Sequence, residues 1–305
     1  MNRTPVWIAG TFVLALVCAM GCSTNSSPTA PVSGGDDATQ VGTLLSQDYG
    51  LVSDGESSMS ESQALSLLSS PAGSLAAIRP LYFWRTLDHV TTHWSVTFAD
   101  SDSTGRPRIA RVTVNRELQG NFNIIHSIAY DTTVADYAHP IHKLFDDRWV
   151  RHVVLVRNGA TSGRWRFAGT SLIDVTSQPN TVQIQSVRIQ TSTLDTTLTD
   201  PATPFPLREV MRVDPLDSVR VTVTTNHTDD VVLLHHASHR RVFRNNGDGT
   251  YTIKWVSGAL AGWRHFGIDA LSRGTLFDDT AAYDSNRWYV PFVVRGSVAL
   301  GDYYP

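Results

Sequence analysis

The sequence is nearly free of cysteine and lysine. Its 2 cysteines, Cys18 and Cys22, both fall near the start of a 305-residue chain. The rest of the chain can therefore form no internal disulfide, and its stability must come from ordinary burial. Lysine occurs only as Lys143 and Lys254, so almost all positive charge is arginine. There is no basic block, and the net charge of −3 falls by one when the segment containing Arg3 is removed. Nucleic acid as a partner thus has no electrostatic support. The Gly-x-Ser-x-Gly elbow, the His-Glu-x-x-His zinc motif and the phosphate-binding glycine loop are all missing from the sequence, which removes the usual signatures of hydrolase and nucleotide chemistry. Long apolar runs are missing too. The only candidate, Val6 to Met20, is too short to span a bilayer.

That run, preceded by Arg3 and followed by small residues, has the layout of a secretory signal peptide over residues 1–21. Its end, Ala19-Met20-Gly21-Cys22-Ser23, resembles the lipobox of bacterial lipoproteins. In that family a small residue precedes the cysteine, which is acylated (palmitate among its chains) and becomes the new N-terminus. Gly21 and Cys22 fit, whereas Ala19 stands where the family usually has Leu, and Cys18 is disfavoured by Val17 before it. The resemblance implies lipid attachment at Cys22, the membrane as partner and, because Ser23 rather than Asp follows, the outer membrane as destination. Residues 22–58 are rich in Ser, Thr, Asn, Pro and Gly with scattered leucines, a composition that reads as a flexible tether.

Hydrophobic residues make up 41% of the chain and charged residues 17%. That is enough apolar content for packed cores, and the length beyond the tether suggests two domains. The first, residues 59–200, is expected to be β-rich (α+β) with one short helix. Ser60 or Ser62 can cap Glu61 to Leu68, and Pro71 stops it. Alternation then takes over. Trp94, Val96 and Phe98 oppose His93, Ser95 and Thr97, while Ala110, Val112 and Val114 repeat the pattern, as do Trp165 and Phe167. Between Val182 and Ile189 the parity slips, which predicts a bulge near Ser186. About seven strands are expected between Leu81 and Gln190.

Pro201, Pro204 and Pro206 mark residues 201–207 as a linker. Beyond it, residues 208–305 show short alternating strands such as Val219-Val221-Val223 and Tyr251-Ile253-Trp255, the pattern of a β-sandwich. Asn245-Asn246-Gly247-Asp248-Gly249-Thr250-Tyr251, followed by Gly262-Trp263, is similar to the hairpin of filamin-type and bacterial immunoglobulin-like domains. The resemblance implies an immunoglobulin-like sandwich used as a spacer or adhesion module, and no enzymatic activity. The expected fold class is mainly β: an N-terminal β-rich domain and a C-terminal immunoglobulin-like β-sandwich.

Four constellations hold residues able to do chemistry. Asp100 to Gly105 has the acid spacing of a calcium loop, but Arg111 stands where a bidentate carboxylate is needed, so a hairpin turn is the preferred reading. His235, His236 and His239, with His227 and His265, offer imidazole, although neighbours on a strand point to opposite faces. Trp84, Trp149, Trp165, Trp255 and Trp263 are explained by burial beside strands rather than by a sugar platform. The stretch from Tyr130 to Trp149 reads as a long connection with the densest titratable cluster. Its bland reading is a turn and a solvated strand entrance. Its sharper reading is a metal or ligand site on His139, His142 and Asp146. No cofactor is implied. The function expected is a non-catalytic binding, spacer or structural role in the envelope, with other envelope proteins or polysaccharide as candidate partners. The alternative is an envelope hydrolase or metal-binding protein with its site in the 130–149 stretch.

Overall fold

A computed structural model describes residues 35–47, 63–64, 78–103, 105–128, 131–137, 139–157, 164–236 and 239–296. Cys22, the expected signal segment and most of the helix expected after Ser60 lie outside them. The protein is mainly β, as its alternation predicts. In chain order the elements are α1 (Gly35–Gln47), β1 (Gln63–Ala64), β2 (Pro80–Ser101), β3 (Pro107–Ile128), β4 (Asp131–Ala135), β5 (Ile141–Arg157) and β6 (Trp165–Ser177). Then come β7 (Ile184–Gln190), β8 (Asp195–Leu198), β9 (Phe205–Pro206), β10 (Met211–Val213), β11 (Ser218–Thr225), β12 (Val231–His236) and β13 (His239–Val242). The last are β14 (Arg244–Asn245), β15 (Thr250–Val256), β16 (Gly262–Leu271), α2 (Arg273–Phe277) and β17 (Ser285–Val294).

One large sheet follows the order β1-β2-β3-β5-β6-β17-β16-β12-β13. All its neighbours along that path are antiparallel, and they pair over long registers, such as Trp94 with Val114, Val96 with Val112 and Phe98 with Ala110. A second sheet runs β14-β15-β11-β7-β8. Because side chains alternate across a strand, β17 serves two interiors. Trp288, Val290, Phe292 and Val294 face the second sheet, where Val187, Val221, Val223, Tyr251, Ile253 and Trp255 meet them in a sandwich core. Tyr289, from the opposite parity, joins the other core with Phe83, Phe122, Phe145, Trp149 and Ile173. On that side the large sheet curls. The Arg240 guanidinium of β13 lies 5.4 Å from the Phe83 ring of β2, although β13 ends the path and β2 stands next to its other end.

Four expectations change. Among the described residues six strands, β2 to β7, against about seven expected, span Leu81 to Gln190, because β2 and β3 each run for 22 residues. The stretch read as a long connection is instead the short strand β4, a turn and the first half of β5. The tether read as extending to residue 58 contains α1 from Gly35. Ala38, Val41, Leu44 and Leu45 form its apolar stripe, Val41 and Leu45 are buried, and Asp36 and Asp37 complement the helix dipole. Asp37 also accepts from Arg157 and, at 3.3 Å, from the Trp165 indole. Finally, the described residues of the expected Glu61–Leu68 helix, Gln63–Ala64, pair with the open edge of β2 as a strand.

The Pro201–Pro206 stretch does not separate one sheet from the other. Strands β7 and β8 precede it, yet β7 pairs with β11 beyond it, and β6 pairs with β17. Pro206 sits in an edge strand against β6, the kind of strand that tolerates proline. The parity slip is absorbed where the β7–β11 register shifts: Ser186 opposes Thr224 and Ile184 opposes Thr225, leaving Gln185 over. Val182, Ile184, Val187 and Ile189 are all buried as a result. The Asn245–Tyr251 hairpin turns on Gly247 and Gly249, whose φ values of 86° and 82° favour glycine.

Candidate functional site: a buried arginine and aspartate chain

Charged residues occupy inward positions of otherwise apolar strands. Arg85 shares its side of β2 with Phe83, Asp147 lies between Phe145 and Trp149 on β5, and Asp269 lies between Gly267 and Leu271 on β16. All are buried, as are Arg116, Arg151, Arg240 and Arg287. The Asp147 carboxylate accepts from Arg85 Nη2 at 2.5 Å and from Arg287 Nη2. The same Arg287 places Nε 3.2 Å from Asp269, which is 3.8 Å from Arg240. A continuous ionic chain thus crosses the curled sheet through β2, β5, β17, β16 and β13.

Aromatic faces support the cations. The Arg85 guanidinium lies 4.0 Å from the Phe145 ring centre, and that of Arg116 lies 4.6 Å from Trp149. Arg151 donates from Nε to Thr170 Oγ1 at 2.9 Å. Tyr283 seals one end against Phe122 and Phe145, and burial pushes its hydroxyl up to about 12. His265 is held far below its usual range, at about 3, first by burial and then by the Arg151 charge. Guanidinium gives up no proton, and the Asp147 carboxylate is clamped by two of them. This arrangement binds strands of the large sheet to one another through their side chains.

Lys143 closes the same end. Its Nζ donates to the carbonyls of Gly274 at 3.0 Å and Asp278 at 2.5 Å, tying β5 to α2. Burial pushes its pKa down to about 8 from 10.5, against the pull of Asp278 and Asp279. A lysine whose folded pKa is depressed binds fewer protons folded than unfolded between those values, so stability rises with pH there. Urea unfolding should show wild-type protein gaining stability relative to Lys143→Met between pH 8 and 9.5. A constant difference over that interval would show that Lys143 titrates normally.

The structure does not bring the candidate metal ligands together. His139 sits in the turn before β5, 3.2 Å from the Asp136 carboxylate. His142 bonds through Nδ1 to Asn123 at 2.6 Å, and Asp146 accepts from Gln119 at 3.1 Å. Asp146 is exposed, whereas its neighbour Asp147 is buried in the ionic chain. Among the described residues, no group of three His, Cys, Asp or Glu side chains could hold a metal. His235 is buried in a T-shaped ring contact with Tyr289, and His227 pairs with Asp230 at 3.4 Å. The described residues of Asp100–Gly105 lie at the turn between β2 and β3, with Asp102 accepting from the Gly105 and Arg106 amides. Trp149, Trp165 and Trp255 are buried, while Trp84 and Trp263 are half-buried.

The titratable cluster legible in the sequence takes in Asp147 but not Arg85, Arg287 or Asp269. The signal that could have found them was a charge at an inward parity position of each strand. Comparison of the chain with family models, curated proteins and solved structures finds no match. Among the described residues no helix is long and apolar enough to cross a membrane.

Proposed function

We propose that the protein is a lipid-anchored protein of the bacterial envelope, held in the outer membrane through Cys22, with a non-catalytic binding, spacer or structural role. One observation carries the non-catalytic reading: the buried carboxylates Asp147 and Asp269 are both held in cross-strand ion pairs, Asp147 by Arg85 and Arg287 and Asp269 by Arg287 and Arg240. A catalytic carboxylate would instead face space for substrate and have a pKa matched to its task. The lipobox resemblance supports the anchor, and the sandwich built on the Asn245–Tyr251 hairpin is in keeping with an immunoglobulin-like spacer or adhesion module. Other envelope proteins or polysaccharide are the partners this reading favours.

Expression with radiolabelled palmitate should label wild-type protein in the membrane fraction. Cys22→Ser should be unlabelled and released from membranes by a high-salt wash, whereas the acylated wild type should need detergent. Labelling of the variant, or its retention on membranes through the high-salt wash, would overturn the anchor.

A further inference from the structure

Three large apolar side chains that protrude into solvent share one end of the sandwich. Leu216 is 66% exposed, Val256 57% and Leu260 75%. Leu216 occupies the third position of the Asp214–Asp217 turn with φ 59°, a conformation that usually calls for glycine there. The backbone is strained, and the turn tip displays a leucine. Ser257 binds the turn to the loop bearing Leu260: its Oγ accepts from the Asp217 amide at 2.9 Å and donates to the Asp214 carbonyl at 2.6 Å. Isolated exposed apolar residues need no explanation, but a fixed cluster marks an interaction surface.

Cations flank the cluster. Arg220 and Lys254 lie directly opposite each other on β11 and β15, on the exposed face one rung from Val256. Like charges so placed repel. Neither has an ion-pair partner among the described residues, whereas Asp195 on the same face is taken by Arg188. Arg264 extends the positive edge at the Leu260 loop, where its Nη2 donates to the Leu260 carbonyl at 3.5 Å. Of the nearby carboxylates, Asp214 pairs with Arg295 at 3.1 Å. Asp217 accepts from Ser192 and Ser218, bonds that hold its pKa below the usual carboxylate range. The balance is positive on a chain whose total charge is −3.

Strand register shows which way this end faces. β5 ends at Arg157 opposite Trp165, where β6 begins, and β17 runs antiparallel to β6, so Val294 and its partner Gly262 lie toward the same end. Val213 pairs with Val294, and the Leu216 turn follows directly. The N-terminal turn of α1 is fixed there too, through Asp37 on Arg157 and Trp165. Cys22 precedes Asp37 by 15 positions, so the anchor lies within about 50 Å of this end. Among the described residues the other strongly exposed apolar ones, Tyr137 and Leu144, lie near the opposite end of β5.

We propose that Leu216, Val256 and Leu260, flanked by Arg220, Lys254 and Arg264, form a docking surface for a bilayer carrying anionic phospholipid, and that it lays the anchored protein against its membrane. Apolar tips ringed by cations are the chemistry of interfacial binding: the former enter the acyl boundary and the latter hold lipid phosphates. The orientation rests on the anchor reading, but the surface itself does not. The test therefore uses the processed chain, beginning at residue 22 and carrying Cys22→Ser, which has no acyl group. It should float with phosphatidylglycerol vesicles, bind phosphatidylcholine vesicles at least tenfold more weakly, and lose binding as salt is raised. Arg220→Gln and Lys254→Gln should each weaken binding about fivefold. Leu216→Gln, Val256→Gln and Leu260→Gln combined should abolish it while leaving the circular dichroism spectrum unchanged, since all three side chains are exposed. An unlipidated chain that stays in solution with anionic vesicles, or a triple variant that binds as before, would overturn the surface. Vesicle binding in vitro together with an unacylated wild type in cells would instead refute the anchor.

Discussion

Asp147→Ala is expected to destabilise the protein by about 3–5 kcal/mol, the range for removing one member of a buried ion pair. Asp147 is fully buried and accepts from Arg85 and Arg287. Its loss leaves two guanidinium groups facing each other without the carboxylate between them. Neither can shed its charge by deprotonation, as a lysine would. For a chain of this size the melting temperature should fall by on the order of 10 °C. Asp147→Asn keeps the shape but not the charge and should be nearly as damaging. Asp146→Ala, one residue away and exposed, should change stability by less than about 0.5 kcal/mol. Chemical denaturation of the three variants checks the contrast. Similar values for Asp146→Ala and Asp147→Ala would mean that the ionic chain does not hold the strands. Replacing the charged cluster with apolar residues together should restore most of the loss, since well-packed substitutes for a buried ion pair are often neutral or stabilising.

Gly120→Ala should be comparably severe for a different reason. A Cβ at this position of β3 would stand 1.9 Å from the Thr86 carbonyl oxygen and 3.0 Å from the Phe145 ring. The first obstacle is backbone and cannot rotate away. The close approach occurs where the β2–β3 register shifts, with Leu87 opposite Gly120 and His89 opposite Gln119. β2 therefore crowds β3 at this point. Relief requires the two longest strands to separate locally, with a cost of about 3 kcal/mol or more. Gly258→Ala, where an added Cβ meets nothing within 4 Å, should be nearly neutral. Equal melting temperatures for the two variants would show that β2 moves aside freely.

Much of the β framework is legible in local pattern. The inward rows of Trp94-Val96-Phe98 and Ala110-Val112-Val114 pair across one hairpin, and Tyr251-Ile253-Trp255 fills the sandwich core. Where charge entered the inward row, the pattern became unreadable. On the first half of β5, Lys143 and Asp147 point inward while Leu144 is exposed, so the strand presents the composition of a loop. α1 was hidden by its surroundings, because one narrow apolar stripe lies within a Ser- and Gly-rich stretch. The pairing of β7 with β11 across the prolines is a long-range choice that no local period encodes. The ionic chain, likewise, joins residues from Arg85 to Arg287. Their parity marks each as inward, but only the curl of the sheet makes them neighbours.

β17 has an implication for how such a chain is made. All ten of its residues are buried, and it shares edges with β6, β10 and β16. Its Asn286 meets Thr176, which a ribosome releases 110 residues earlier. Neither interior has its shared wall until this strand arrives, so the earlier strands must wait unclosed while the chain is still emerging. Under the export reading proposed above, in which the chain crosses a membrane as an extended thread, that delay would be protective. The shape that could jam a narrow translocation channel cannot be completed until β17 itself is available to form it.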